Sequence, residues 1–437
     1  METYLLTYRV TTPMFLGGVD QRAELRCQGI KGALRFWWRS LQAAKFGSKF
    51  AELLNAESEL FGSSDQEIGK SKVRLRIVKS ELPIVAKGKV LWELEDGLRR
   101  GNNFQGNTQR GGAFYLGYGA VNAFYSSKQN KLAGQLEREC FMPGTLSIQV
   151  SLDRRLSSKQ RDSICQSLRL LGTVGGLGSC NRRGYGSLTL VRAEKREAGK
   201  WIDVPSMAVH SPQAGLAELV TSNLLSQGEP EWSAWSDQSR VVVVSLKSQA
   251  SQRDLLDKIG RELVHYRSWG NDNKVLGHDS EQNFAYDHHL FKNMVENGTN
   301  HLPDGFDQPQ RVAFGLPHNY GPGRNVSPAD KLNKKELDRR ASPLFIHIHQ
   351  FDDVPVGLVF SLPARFLPNA GNHKPNLRVF GVERPLKTDA SFWNPIHGFL
   401  DRLVGKRDTS NPLSGTVKKT DLVCTEISLS TPVELAT

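Results

Sequence analysis

The sequence predicts an α+β chain in which one β-α-β-β-α-β order occurs twice. Three observations lead to this. Each half holds short β-rich runs around two helical patterns. Two long intervals, 80–142 and 270–341, break the periodicity and read as insertions. A stretch rich in Ser, Gly, Gln and Pro, 205–235, separates the halves.

The first half opens with a strand over Tyr4 to Thr11. A helix follows in which Ile30, Leu34, Trp37 and Leu41 recur at helical spacing as one apolar stripe. Phe50 to Phe61 continues helical. Lys72 to Lys79 alternates Val73, Leu75 and Ile77 with Arg74, Arg76 and Lys79, a half-buried strand with a basic outer side. Thr145 to Leu152 is a strand, Ser157 to Leu171 a helix, and Tyr185 to Val191 a closing strand. The second half repeats the order more loosely. Arg240 to Leu246 is an apolar strand, and Arg253 to Trp269 a helix with Leu256, Ile259, Leu263 and Tyr266 as its stripe. Leu344 to Phe351 and Val356 to Leu362 are strands, Phe392 to Val404 is a helix, and Asp421 to Ser430 closes as a strand. The expected organisation is two tandem ferredoxin-like (RRM-like) domains, 1–204 and 236–437, joined by a linker at 205–235. Pro, Gly and Asn clusters in 270–341 argue against a continuous element there, and place His288 and His289 in a loop.

Charge is unevenly distributed. The chain carries a net +12, yet residues 1–209 hold 32 Lys and Arg against 19 Asp and Glu, while 210–437 hold 25 against 26. A field of one sign over one half favours a polyanionic partner, nucleic acid before membrane. No apolar run reaches the roughly 18 residues that a membrane span requires. Five scattered cysteines without a C-x-x-C suggest neither a disulfide framework nor a zinc ribbon, and fit a reducing cytoplasm. No cofactor or metal is expected.

Two segments concentrate the cationic chemistry. Along the first helix Lys31, Arg35 and Arg39 form a second stripe at i, i+4 and i+8. Like charges at that spacing repel, so the stripe makes sense if a polyanion lies along it, or if the cations pair with acids elsewhere. Trp38 is a candidate for base stacking, whereas Trp37 belongs to the apolar stripe. The second segment, Gly172 to Gly186, carries six glycines with Arg182 and Arg183. Gly175, Gly176 and Gly178 let backbone N–H groups approach an anion, and the two arginines add forked donors. No G-K-[ST] ending makes it a P-loop, and it runs from helix to strand, the reverse of a dinucleotide turn. A tight helix-to-strand connection is the plainer alternative. The insertion centre, Arg99 to Tyr118, mixes Gly, Asn and Arg with Phe104, Phe114, Tyr115 and Tyr118. It reads either as an RNA-contacting arm or as a loop packed on its own domain.

Together these residues resemble the RAMP (repeat-associated mysterious protein) superfamily of CRISPR systems. The loop Gly175-Gly176-Leu177-Gly178 with Arg182-Arg183-Gly184-Tyr185-Gly186 is similar to that superfamily's hallmark. Thr12 to Gly18, Glu24-Leu25-Arg26 and Ile30 to Arg39 narrow the likeness to the first RAMP subunit of the Cmr, or type III-B, effector complex. Phe314 to Pro317 and Arg340 to Leu344 look like second-half landmarks of the same family. The resemblance implies a noncatalytic subunit near the 3′ end of the guide. Its partners would be CRISPR RNA, target single-stranded RNA and the other RAMP subunits of the complex.

Some RAMP proteins are endoribonucleases, and a metal-independent enzyme processing CRISPR precursor RNA is the alternative. Such cleavage commonly uses a histidine, whose pKa lies near neutrality. All eleven histidines lie at His210 or later, outside the basic half. His347 and His349 share a strand, but with His288 and His289 they read as packing or surface residues. Asp20 beside Gly17-Gly18 reads as a turn residue, and Cys180 as a small loop residue. No catalytic residue is expected.

Overall fold

The computed structural model describes residues 1–63, 69–92, 111–123, 133–248, 250–269, 273–276, 278–296, 308–320, 325–329, 331–332, 335–368, 375–406 and 422–429. In the first half the elements are β1 (Glu2–Val10), α1 (Cys27–Ser40), α2 (Phe50–Phe61), β2 (Val73–Glu81), β3 (Gly144–Leu152), α3 (Ser158–Leu171), β4 (Leu188–Glu197) and β5 (Lys200–Asp203). The strands form one antiparallel sheet in the order β2-β3-β1-β4-β5. β1 alternates strictly, sending Tyr4, Leu6, Tyr8 and Val10 inward. α3 starts at a capping box in which Ser157 and Gln160 satisfy each other's backbone N–H groups.

The second half holds β6 (Arg240–Leu246), α4 (Gln252–Arg267), β7 (Leu344–His349), β8 (Val356–Ser361), α5 (Asn394–Leu403) and β9 (Leu422–Ile427). Its sheet runs β7-β8-β6-β9, again antiparallel. The run Val241 to Val244 is apolar without alternation because both of its faces are covered. Val242 and Val244 join the core beneath α4 and α5, while Val241 and Val243 join the first half's core. Helix α1 therefore lies between the sheets. Its Trp37 ring sits 5.9 Å from Phe345 and 6.4 Å from Phe360, and Trp235 stacks on Phe360 at 5.5 Å.

Side-chain hydroxyls stitch the first half to the outer edge of β7. Thr11 donates to the Ile348 carbonyl, Ser187 accepts from the Ile348 N–H, and Thr189 accepts from the Gln350 N–H. The insertion 80–142 adds a clasp. Its short helix Gly112–Leu116 crosses α4 so closely that a Cβ on Gly112 would lie 2.0 Å from the Asp257 carbonyl oxygen. Ala113 N–H donates to the Asp257 carboxylate, and the Tyr185 hydroxyl donates to the Ala113 carbonyl. This end of the insertion is packed on the rest of the chain, as a loop lying on its own protein would be. Phe104 and the rest of 93–110 lie outside the described residues.

The structure corrects the sequence reading in several places. The interval 270–341 contains a helix, Ala285–Glu296, which carries His288 and His289. The strands His318–Asn319 and Asn325–Pro328 in it join Asn376–Val379 and Val382–Pro385 in a small sheet. Within 205–235 lies the helix Pro212–Leu219, opened by a Ser211 cap and Pro at its first position, and Trp235 is fully buried. β4 begins at Leu188, since Tyr185 still belongs to the glycine loop.

Candidate nucleic-acid interface

The cationic stripe on α1 meets a buried acid. Glu57, on the inner face of α2, has a side chain only 1% exposed. It accepts from Arg35 Nε and, with both oxygens at 2.8 Å, from Arg39 Nη1. The two arginines remain about a third exposed, at 34% and 29%. One carboxylate thus faces two guanidiniums, and the group keeps a surplus positive charge at the surface. Lys31 turns instead to the Phe61 carbonyl and the Ser71 hydroxyl, at 3.2 and 2.6 Å. Burial, with the Arg35 charge next, pulls its ammonium below the usual lysine range. The stripe follows the alternative in which its cations pair within the fold.

Trp38 corrects the expectation of a stacking platform. Its ring is 3% exposed, packs edge-on against Phe61 at 6.1 Å and donates its N–H to Ser163. The helix turns one tryptophan toward α3 and the other toward the second sheet, so both are core.

The glycine loop folds back on itself. Leu177 N–H donates to the Gly186 carbonyl, Ser179 N–H to the Phe15 carbonyl, and Leu188 N–H to the Gly175 carbonyl. Gly178 has φ +84°, and a Cβ there would meet the Phe15 carbonyl oxygen at 2.5 Å. On Gly175 it would meet the Leu171 carbonyl oxygen at 2.5 Å, and on Gly176 the Gly186 carbonyl oxygen at 2.9 Å. Close backbone packing thus accounts for all three glycines. Arg182 is another correction. Its guanidinium lies over the rings of Phe345 and Phe36, at 4.6 and 5.2 Å, and donates to the Ser342 carbonyl. Burial lowers its pKa to about 10. It joins the halves and is not presented to a phosphate. Arg183 is more open, with Nη2 donating to the Tyr118 carbonyl at 3.0 Å. The α1 cations and the loop arginines therefore face different neighbours, and do not line one groove.

An open cleft of about 260 Å³ lies on the other side of the loop. Phe15, Gly17, Gly18, Arg22, Gly178 and Arg138 are among its walls. Arg138 Nη1 reaches Ser179 Oγ at 3.3 Å, and its Nε has no acceptor among the described residues. Glu139, also in the wall, accepts from Ala23 N–H. Asp20 accepts from Arg22 N–H, the turn role expected of it. Sequence reasoning passed over Arg22 and Arg138, since each stands alone in an irregular segment. Their meeting depends on the return of the insertion beside Phe15, where Met14 and Phe141 exchange backbone hydrogen bonds.

The paired strand histidines lie deep. His347 and His349 are each 1% exposed. His349 shares hydrogen bonds with the Thr189 hydroxyl and the Val209 carbonyl. Burial lowers its pKa to about 4, and holds His347 well below the usual histidine value. Neither ring reaches solvent. Among the described residues no three His, Cys, Asp or Glu side chains gather as a metal ligand set, and no helix is long and apolar enough to cross a membrane.

Comparison with known proteins points to the same region. Residues 7–189 match the RAMP superfamily model. A CRISPR system Cmr subunit, Cmr1-2 of Pyrococcus furiosus, is 29% identical over 183 residues, covering 40% of this chain and 89% of the relative. The crystal structure of apo Cmr1 from Pyrococcus furiosus aligns with 91% of this chain and 97% of its own, at 17% identity and a TM-score of 0.45. A type III-B Cmr-beta complex bound to cognate target RNA contains a chain that aligns with 83% of this one and 94% of its own, at 15% identity and a TM-score of 0.40. The matched span runs from β1 through the glycine loop into β4, and the likeness to the RAMP superfamily lies in this part of the chain.

Proposed function

We propose that the chain is a noncatalytic RNA-binding subunit of a type III-B CRISPR ribonucleoprotein. It would hold guide and target RNA near the guide 3′ end against other RAMP subunits. One observation carries the reading: the cationic excess, 32 Lys and Arg against 19 Asp and Glu, is confined to residues 1–209, which contain the RAMP match. The Cmr1-2 relative supports the choice of complex. Both sheets have the strand order of a ferredoxin-like unit, which supports the tandem reading. Of the residues named from sequence, Arg183 and the exposed edges of Arg35 and Arg39 are the ones best placed to meet phosphates. Gly175, Gly176 and Gly178 would act by shaping the loop, and Lys31 by adding to the local field.

Phosphate contacts position RNA without reading its sequence. Binding is therefore expected to be sequence-tolerant and to weaken steeply with salt. The test is titration of labelled single-stranded RNA against the full chain and the reconstituted Cmr assembly at several salt concentrations, with repeat RNA incubated alongside with and without EDTA. Salt-sensitive binding with intact RNA supports the reading. Defined cleavage products would replace it with the endoribonuclease, and absence of binding in both preparations would remove it.

A further inference from the structure

The cleft between the Gly17-Gly18 turn and Gly178-Ser179 is built from three separate stretches of chain: the β1–α1 connection, the glycine loop and the return of the first insertion. Arg138 reaches it from the insertion. Of its five guanidinium N–H donors, Nη1 is given to a 3.3 Å contact with the Ser179 hydroxyl, and Nε lacks an acceptor among the described residues. A shielded guanidinium N–H without an acceptor costs free energy that an incoming anion can return. Arg22 also lines the cleft, with its side chain 78% exposed and only a loose ion pair, 3.8 Å, to Asp20. The neighbouring acids are all engaged: Asp20 accepts from Arg22 N–H, Glu139 accepts from Ala23 N–H, and Glu24, beside Gly18, pairs with Arg26. The lining residues thus carry two guanidiniums against one occupied carboxylate.

Size narrows the ligand. Drug-sized ligands need roughly 300–1,000 Å³, and the cleft offers about 260 Å³ in an open form. That suits one phosphate with its sugar, on a strand that enters and leaves through the open side. Among the described residues no large aromatic face other than Phe15 lines the cleft, and Phe15 is buried against Tyr185. The site therefore offers charge and no base-stacking platform.

We infer that this cleft is a backbone-phosphate subsite for single-stranded RNA, with Arg138 and Arg22 as its paired donors. The inference rests on the RNA-binding reading above and assigns it to residues that the sequence motifs do not contain. The experiment compares full-length wild type, R22Q/R138Q and the charge-matched control K159Q/K200Q, whose lysines are exposed and remote in sequence from the cleft. A short polyuridine is titrated across a salt series, and thermal unfolding confirms equal folding. The double arginine variant is expected to bind roughly tenfold more weakly, about 1.4 kcal/mol. Its slope of log affinity against log salt should be shallower by about 0.7 for each phosphate that is no longer neutralised. The control should keep the wild-type slope. Strong wild-type binding with the same affinity and slope in R22Q/R138Q overturns the subsite and leaves RNA binding standing. An equal loss in the control reduces the effect to bulk charge and also overturns it. A wild type that binds no polyuridine at any salt concentration removes both readings. If R22Q/R138Q unfolds early, 4-thiouridine crosslinking of the wild type decides, and crosslinks that avoid both 14–22 and 133–142 count against the subsite.

Discussion

The Arg182 guanidinium lies 4.6 Å above the Phe345 ring, so a residue of the hallmark glycine loop grips a strand of the opposite half. The Arg182 carbonyl also accepts from Ile346 N–H at 2.8 Å. R182A is expected to destabilise the chain by about 2–4 kcal/mol, because it removes the cation–π interaction and the charged hydrogen bond together. R182K should recover little, because an ammonium cannot spread over two rings and still reach Ser342. Urea unfolding followed by tryptophan fluorescence checks this, and a wild-type midpoint in R182A would contradict the assigned role.

Glu57 is the buried acid under the α1 cations. E57A leaves Arg35 and Arg39 facing each other without it. The cost should fall toward the lower end of about 3–5 kcal/mol, because both guanidiniums reach solvent. Stability should recover in part when Arg35 is also replaced by Leu. A double-mutant cycle in urea measures the coupling.

Two glycines in helices separate packing from propensity. A Cβ on Gly112 would strike the Asp257 carbonyl and the Arg261 amide, both backbone, so G112A should cost about 1–3 kcal/mol. Gly32 in α1 has nothing within 4 Å of that position, and G32A should gain up to about 1 kcal/mol. Opposite shifts in melting temperature are the expected result.

Acid sensitivity follows from histidines held neutral by burial. In the folded chain His318 is lowered to about 3 and His349 to about 4, with His347 lowered as well. Unfolded, each titrates near 6.5. Between these limits the unfolded chain binds more protons, so stability is full above pH 6.5 and falls as pH drops toward 4. H349Q removes one of these groups and should make the fall shallower. Melting temperatures from pH 8 to pH 4 give both slopes.

The order of elements could be read from sequence because alternation and helical spacing record which side of each element is buried. Tyr4, Leu6, Tyr8 and Val10 in β1, and Ile30, Leu34, Trp37 and Leu41 around α1, are buried as that spacing predicts. The interface was harder to read. A cationic stripe looks the same in sequence whether it meets RNA or Glu57, and nothing near Trp38 in the chain announces Ser163 as its partner. Arg182 and Arg183 are adjacent, yet one lies over two rings of the core and the other is half-buried against the Tyr118 carbonyl. That difference is set by Phe345, in the other half of the chain. The helix over Ala285–Glu296 was obscured by the turn-forming residues around it.

The hydroxyls of Thr11, Ser187 and Thr189, with the Arg182 carbonyl, stand where a neighbouring strand would otherwise pair with β7. Without them the outermost strand of the C-terminal sheet is a raw template for pairing between molecules. Synthesis runs from the N-terminus, and earlier domains fold first. The guard over that aggregation-prone border is therefore in place before the ribosome releases the strand that needs it.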